Sequence, residues 1–340
     1  MNTSTRLGGF KILKDVIWVS LIQPKGDDRF PTAFANLMAK EKINLPFLTC
    51  GEQNRAFGLN VVMDAQDAKK TIRLLENEFG KINLTSTKGA ILSIFPHRSK
   101  PEIIGALLDV LGRLGDQPIA FANSPSAISA VLNEDIINEA TTALFDPFEF
   151  GPYRTPEDWK LAQKGKEKLY KEVVASYQEK KPKVYGLDWE DDQALIHVKL
   201  DSGHISTMGT VLKDFAQLGL VLTFFISRPS IEKNKGNLFF CLPEPGNHDY
   251  TGMIQKVLPA ASTIEDLSVA SFSMNGPHFG DRYGIISELL TALDEANVNL
   301  LGLSCSIHTI NGVLPADQVH PAIDAIQKCF EVPSVIKRHR

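Results

Sequence analysis

The feature that most constrains this chain is a recurrence: one order of elements, strand, helix, strand, strand, helix, is legible four times along 340 residues. Between residues 269 and 330, "VASFSMN" reads as a short strand, and "PHFGDRYG" is a loop of residues that strands and helices both avoid. "IISELLTALDEA" then puts Ile285, Ile286, Leu289, Leu290 and Leu293 on one helical face. Two strand-like runs, "VNLLGLSCS" and "HTINGVL", precede a second helix, "ADQVHPAIDAIQKCF". Residues 16 to 79 repeat the order, with Pro31 where a first helical turn tolerates its missing N–H. It returns from "GAILSIF" to "NEDIINEATTAL" (89 to 144) and from "ALIHVKL" to "DYTGMIQKVL" (194 to 258). Units of roughly 70 residues are too long for solenoid repeats, so each copy is predicted to be a small domain.

A last strand after the second helix would complete the split arrangement called ferredoxin-like, and "KINLTS" and "STIEDLS" are candidates for it. The expected fold is α+β: four ferredoxin-like βαββαβ modules, each burying its free sheet face or edges against a neighbour. Composition shifts between the second and third copies. There "TPEDWKLAQKGKEKLYKEVVASYQEKKPK" opens with Thr155 as N-cap, Pro156 and Asp158, and predicts a connecting helix of roughly 25 residues. "GGFKILKD" and "YGLDWEDDQ" stand in corresponding places before the first and third copies, so the chain reads as two tandem pairs joined by that helix. The expected boundaries are 7–85, 86–150, a linker at 151–183, then 184–265 and 266–335.

With 43% hydrophobic residues, 22% charged residues and a net charge of -4, no basic field points to nucleic acid. The N-terminus lacks a signal-peptide core and no run approaches the roughly 20 apolar residues of a membrane span, so a cytoplasmic protein with no membrane partner is expected. Cys50, Cys241, Cys305 and Cys329 form no CxxC pair and read as buried or partly buried free thiols. No catalytic residue, metal site or cofactor is expected. "PGNHDY" (245 to 250) lacks the upstream and downstream ligands of a two-metal phosphoesterase and reads as a helix cap. The glycine loop at 276–284 is not followed by Gly-Lys-[Ser/Thr], and "WEDDQ" (189 to 193) is assigned to a solvated turn.

The sequence "GDRYGII…NVNLLGLS", and after it "DDRFPTAF…KINLPFL", resembles the ACT domain, a small ligand-binding module of amino-acid metabolism. The tandem spacing, with "GGFKILKD" ahead of "VIWVSLI", resembles the regulatory region of aspartokinases, and "STKGAILSIFPHRSKPEIIGALLDVL" the start of the second ACT domain there. The kinase domain of that family, which opens with a Lys-Phe-Gly-Gly motif, is expected to have no counterpart in this sequence.

The resemblance implies a small amino acid held at a module interface against the first loop and helix. In the last copy it points to Asp281, Arg282, Gly284, Ile285 and Asn299, and in the first to Asp28, Thr32, Ala33 and Asn44. Unpaired N–H groups at a helix start suit a carboxylate, Asp281 an ammonium, and Asn299 the ligand backbone. Thr32 replaces the family's glycine, and Tyr283 its usual proline. The function expected is that of a non-catalytic regulatory protein that binds an aspartate-family effector such as lysine or threonine and modulates a biosynthetic enzyme, with a homodimer through its modules. The alternative is a ligand-free scaffold or regulatory subunit pairing through strand edges.

Overall fold

The computed structural model describes residues 5–338 apart from 24–28, 54–55, 81, 97, 116–119, 164–180, 231, 233–234, 278, 280–281 and 307. The first half contains β1 (Thr5–Leu7), β2 (Gly9–Gln23), α1 (Phe30–Lys40), β3 (Phe47–Gln53), β4 (Ala56–Asp64), α2 (Ala65–Phe79), β5 (Asn83–Phe95), α3 (Pro101–Arg113), β6 (Ala120–Asn123), β7 (Ile128–Asn133), α4 (Ile137–Ala143) and β8 (Phe148–Phe150). After α5 (Pro156–Gln163) come β9 (Gly186–Asp201), α6 (Met208–Gln217), β10 (Phe224–Arg228), β11 (Lys235–Pro243), α7 (Tyr250–Val257), β12 (Ser262–Asn275), α8 (Ile285–Glu295), β13 (Gly302–Cys305), β14 (Thr309–Pro315), α9 (Val319–Cys329) and β15 (Val335–Lys337).

Four strands are longer than their sequence segments suggest. "GGFKILKD" and "VIWVSLI" fuse into β2, the end of one copy and the start of the next fuse into β5 and into β12, and "YGLDWEDDQ" runs on into β9. Bulges make this possible. The β2–β5 ladder slips between Leu13 and Val16, and the β9–β12 ladder slips twice between Asp266 and Ser271. Asp15, Asp192 and Ser268 take left-handed backbone there, with φ of 59°, 54° and 58°. A short polar side chain tolerates that conformation better than a bulky one, and the extra residue bends the strand. "WEDDQ" is therefore not a solvated turn: it lies inside β9, and Glu190 is buried.

Twelve strands close into a ring in the order β11, β10, β6, β7, β5, β2, β4, β3, β13, β14, β12, β9 and back to β11, with β15 added in parallel to β9. Side chains alternate across it. Leu59, Val61 and Met63 of β4 face a core beneath α1, α2, α8 and α9 that includes Phe34, Met38, Leu75, Leu289 and Ile326. A second core under α3, α4, α6 and α7 holds Ile104, Leu108, Phe215, Phe240 and Tyr250. Inside the ring, Phe47, Val62, Ile91 and Val131 form one apolar cluster and Leu195, Phe224, Phe239 and Val313 another. Both sheet faces are covered, as in other layered α/β architectures.

A polar seam crosses the interior. Asp188, Ser273, Asn311, Ser304, Thr49, Asn60 and Ser20 are successive cross-strand neighbours on β9, β12, β14, β13, β3, β4 and β2. They meet the β6–β10 joint, where one backbone pair, Ile226 with Ala122, forms the ladder. Side chains supply the rest: Phe225 N–H donates to Asn123 Oδ1 at 2.6 Å and Phe121 N–H to Ser227 Oγ at 2.8 Å. Thr49 Oγ1 and Asn60 Nδ2 donate to the Ser227 carbonyl at 2.9 and 3.1 Å, and Asn311 Nδ2 donates to the Asn123 carbonyl at 2.6 Å.

Between the halves, Thr155 and Asp158 cap α5 reciprocally: Asp158 N–H donates to Thr155 Oγ1 at 3.2 Å, and Thr155 N–H to Asp158 Oδ2 at 3.1 Å. Trp159 stacks on Phe10 with ring centroids 4.7 Å apart. Residues 164–180 of the expected connecting helix lie outside the described residues. Asn123→Ala would strand the buried Phe225 N–H, and a loss of about 1–3 kcal/mol is expected in urea unfolding. The Ser227→Ala double-mutant cycle should then show coupling between the two sites.

Candidate functional site

The two helix pairs on the outside of the ring are built differently. Where α3 crosses α6, Gly105 faces Gly209, and a Cβ on Gly105 would stand 2.7 Å from the Gly209 carbonyl oxygen. Lys213 pairs with Asp109 beside that crossing. The glycines weld this pair shut. Where α1 meets α8 the contact is polar instead: Ser287 Oγ and Thr291 Oγ1 both donate to Asn36 Oδ1, the second at 3.4 Å. Beside it lies a narrow cleft of about 290 Å³ of empty volume, its open mouth included, between Ala35, Met38 and Ala39 of α1 on one side and Phe279 with Arg282 to Ser287 on the other.

Gly284 shapes that cleft. It is the N-cap of α8 at φ 89°, a left-handed conformation that costs glycine nothing, and it offers no side chain to the first-turn N–H groups. A Cβ there would lie 3.8 Å from the Ala39 methyl group. Arg282 reaches across the first turn to Glu288, with Nη2 and Oε1 3.5 Å apart. Burial pushes the Glu288 carboxyl above its ordinary range, while Arg282 pulls in the opposite direction.

Of the nine residues expected to touch a ligand, Arg282, Gly284 and Ile285 line this cleft, with Ile285 also buried in the core below. Thr32 is buried in the first turn of α1, and Ala33 is half-buried beside it, its N–H donating to the Arg29 carbonyl at 2.9 Å. Asn44 is half-buried in the approach to β3. Asn299 is exposed, and its backbone N–H donates to Gln318 Oε1 at 2.6 Å. None of these four lines the cleft. Asp28 and Asp281 lie outside the described residues. Sequence reasoning missed Tyr283, Ser287 and Asn36. The two polar residues sit between apolar positions of their helices, a signal visible only once the two helices are known to meet.

Elsewhere the chemistry is quiet. Asp249 caps α7, accepting from Gly252 N–H at 2.8 Å. Burial pushes the Cys50 and Cys305 thiols up to about 12 and Cys329 to about 11, and all four cysteines are free. Among the described residues no three His, Cys, Asp or Glu side chains are placed to hold a metal ion, and no helix is long and apolar enough to cross a membrane.

No family model matches the chain, and no curated protein matches it. Among solved structures, the aspartate kinase from Synechocystis is similar with a TM-score of 0.77 at 14% identity, covering 98% of this chain and 57% of its own. The chain thus spans little more than half the length of that protein, and at this identity the likeness shows the fold. The regulatory subunit of aspartate kinase from Thermus thermophilus and the aspartate kinase from Clostridium acetobutylicum match 43% and 46% of the chain, with TM-scores of 0.38 and 0.37 too low to carry an argument.

This comparison corrects the functional expectation. Nearly the whole chain shares the fold of a little over half of an enzyme's polypeptide. The readings as a non-catalytic regulatory protein, as an aspartokinase-like regulatory region lacking its kinase domain, and as a ligand-free scaffold are withdrawn. The scaffold reading also leaned on open strand edges, most of which are paired by closure of the ring.

Glu288 supplies a test of the cleft's electrostatics. A carboxyl whose folded pKa is raised holds its proton more tightly in the native state, so it adds stability as pH falls through that pKa and removes it above. Glu288→Gln should abolish this gain on acidification and leave the melting temperature at neutral pH equal to or above that of the unaltered protein.

Proposed function

We propose that this chain belongs to an aspartate-kinase-like enzyme and that the α1–α8 cleft is where it binds a small amino acid that tunes activity. The observation that carries the reading is the inequality of the two helix pairs within a fold shared with an aspartate kinase over 98% of the chain. One pair is closed by glycine contacts, and the other keeps a cleft at an uncapped helix start. First-turn N–H groups of α8 suit a ligand carboxylate, and Arg282 offers a second partner once it leaves Glu288. Glu288 would then face the ligand's ammonium group. Asp281, three positions before Gly284 in sequence, is a further candidate for that charge, and Asn44, Asn299, Thr32 and Ala33 do not line the cleft.

The same proposal divides the chain into four ACT-like modules at the boundaries 7–85, 86–150, 184–265 and 266–335, with the first and fourth sharing the cleft. Support comes from the contacts of α1 with α8 and of α3 with α6, and from the two separate helix-side cores. Long shared strands then serve as hinges common to neighbouring modules.

A panel of the twenty amino acids, screened by thermal shift on the full chain, should give a rise for one or a few of them. At a hundred times Kd the stabilisation is about 2.7 kcal/mol. Ala39→Leu fills the cleft without touching the ring and should abolish the response while the protein still melts cooperatively. Phosphoryl transfer from ATP to aspartate by the full protein should change with the same amino acid. A protein that shifts with none of the twenty at millimolar concentration, or whose shift survives Ala39→Leu, is not described by this reading.

A further inference from the structure

We infer, granted that the α1–α8 cleft binds an amino acid, that it selects an uncharged aliphatic side chain, the class of valine, leucine, isoleucine and methionine, and turns away the cationic lysine. The lining divides by depth. Arg282, Gly284 and Ser287 are half-buried around the mouth, whereas Met38, Ile43, Leu45, Phe279 and Ile285 form a floor in which each is at most 8% exposed. Among the described lining residues Arg282 alone carries a formal charge, and that charge is positive.

The floor is already formed without a ligand. Helix α1 ends in a Schellman motif: Lys42 takes left-handed backbone at φ 57°, its N–H donates to the Ala39 carbonyl at 3.1 Å, and Ile43 N–H reaches back to the Met38 carbonyl at 2.9 Å. The motif returns Ile43 to Met38, and both belong to the core that continues beneath the cleft. An aliphatic side chain entering there leaves water for walls that need no reordering. A lysine ammonium in the same place would leave water for Met38, Ile43 and Phe279 with no carboxylate in the described lining, and Arg282 would repel it at the mouth. A threonine hydroxyl fares better than an ammonium but worse than a methyl group. Ser287 spends its proton on Asn36 and stands at the mouth, so the hydroxyl would lose water on the floor without gaining a donor. Size points the same way: about 290 Å³ with the mouth included is small for a ligand site, and favours a short branched or linear side chain over an aromatic ring.

The test is isothermal titration calorimetry of the full chain with each of the twenty amino acids. At least one of the four aliphatic ligands should bind about tenfold or more tighter than threonine and about a hundredfold tighter than lysine, with a negative heat-capacity change. Valine against threonine is the sharpest comparison, because a hydroxyl replaces a methyl group within the same outline. Ala39→Asp places a carboxylate at a half-buried lining position; it should weaken the aliphatic ligand about tenfold and bring lysine to equal or tighter binding. Cooperative melting checks that this variant folds, and if it does not, the ranking on the unaltered protein decides. Tightest binding of a charged, hydroxylated or aromatic amino acid overturns the aliphatic selectivity and leaves the amino-acid site standing, whereas binding of none of the twenty overturns both. An unchanged ranking in folded Ala39→Asp also overturns it, because recognition then lies outside this lining.

Discussion

The ring depends on a joint made largely by side chains. β6 and β10 share one backbone pair, and the flanking ladder positions are completed by Asn123 Oδ1 and Ser227 Oγ standing in for carbonyls. A side-chain acceptor can do this only if its own backbone is held at the right distance. The opposite wall does that holding: Thr49, Asn60, Ser304 and Asn311 all donate to the backbone carbonyls of the same two residues. Apolar packing alone would leave the facing sheets free to slide, because it has no direction. The seam sets their registration, at the price of polar groups that must each find a partner.

From that registration follows the inequality of the outer helix pairs. The ring forces α1 against α8 and α3 against α6. In the second pair Gly105 and Gly209 let backbone touch backbone, so a ligand would have to break a close-packed contact. In the first pair the contact is carried by Asn36, Ser287 and Thr291, whose hydrogen bonds can be exchanged with water or ligand at little net cost. A fourfold repeat thus yields one pair suited to being structural and one suited to opening.

The recurring order of strand, helix, strand, strand and helix was legible. Apolar stripes located α1, α3, α6 and α8, Pro31 marked a helix start, and Thr155 with Asp158 marked the cap of α5. What local pattern could not reveal was which copies pair, because that is decided by contacts far apart in sequence, 104 residues for Lys213 with Asp109 and 251 for Ser287 with Asn36. Bulges were misread for a related reason. Consecutive acidic residues before Gln193 look like a solvated turn, but Asp192 uses its tolerance of left-handed backbone to keep a strand going through a slip in register. The expected ligand residues were only partly gathered. A loop motif specifies what lies near a helix start, so Arg282 and Gly284 reach the cleft, whereas Asn299 is placed by the far end of α8 and by Gln318.

The β9–β12 bulge has a consequence beyond strand length. On the outward side of β12, Phe272 and Met274 belong to the same core as Phe279 and Ile285, which carry the wall of the α1–α8 cleft. On the inward side, one residue away in each direction, Ser271 and Ser273 line a second, interior cavity. A single strand therefore separates the two, and its pleat sends alternate side chains to each. A ligand in the α1–α8 cleft that shifts β12 therefore also changes the wall that the interior cavity presents. The slip in register is what makes such a shift conceivable, since a strand already carrying an extra residue can move at the bulge without breaking the flanking ladder.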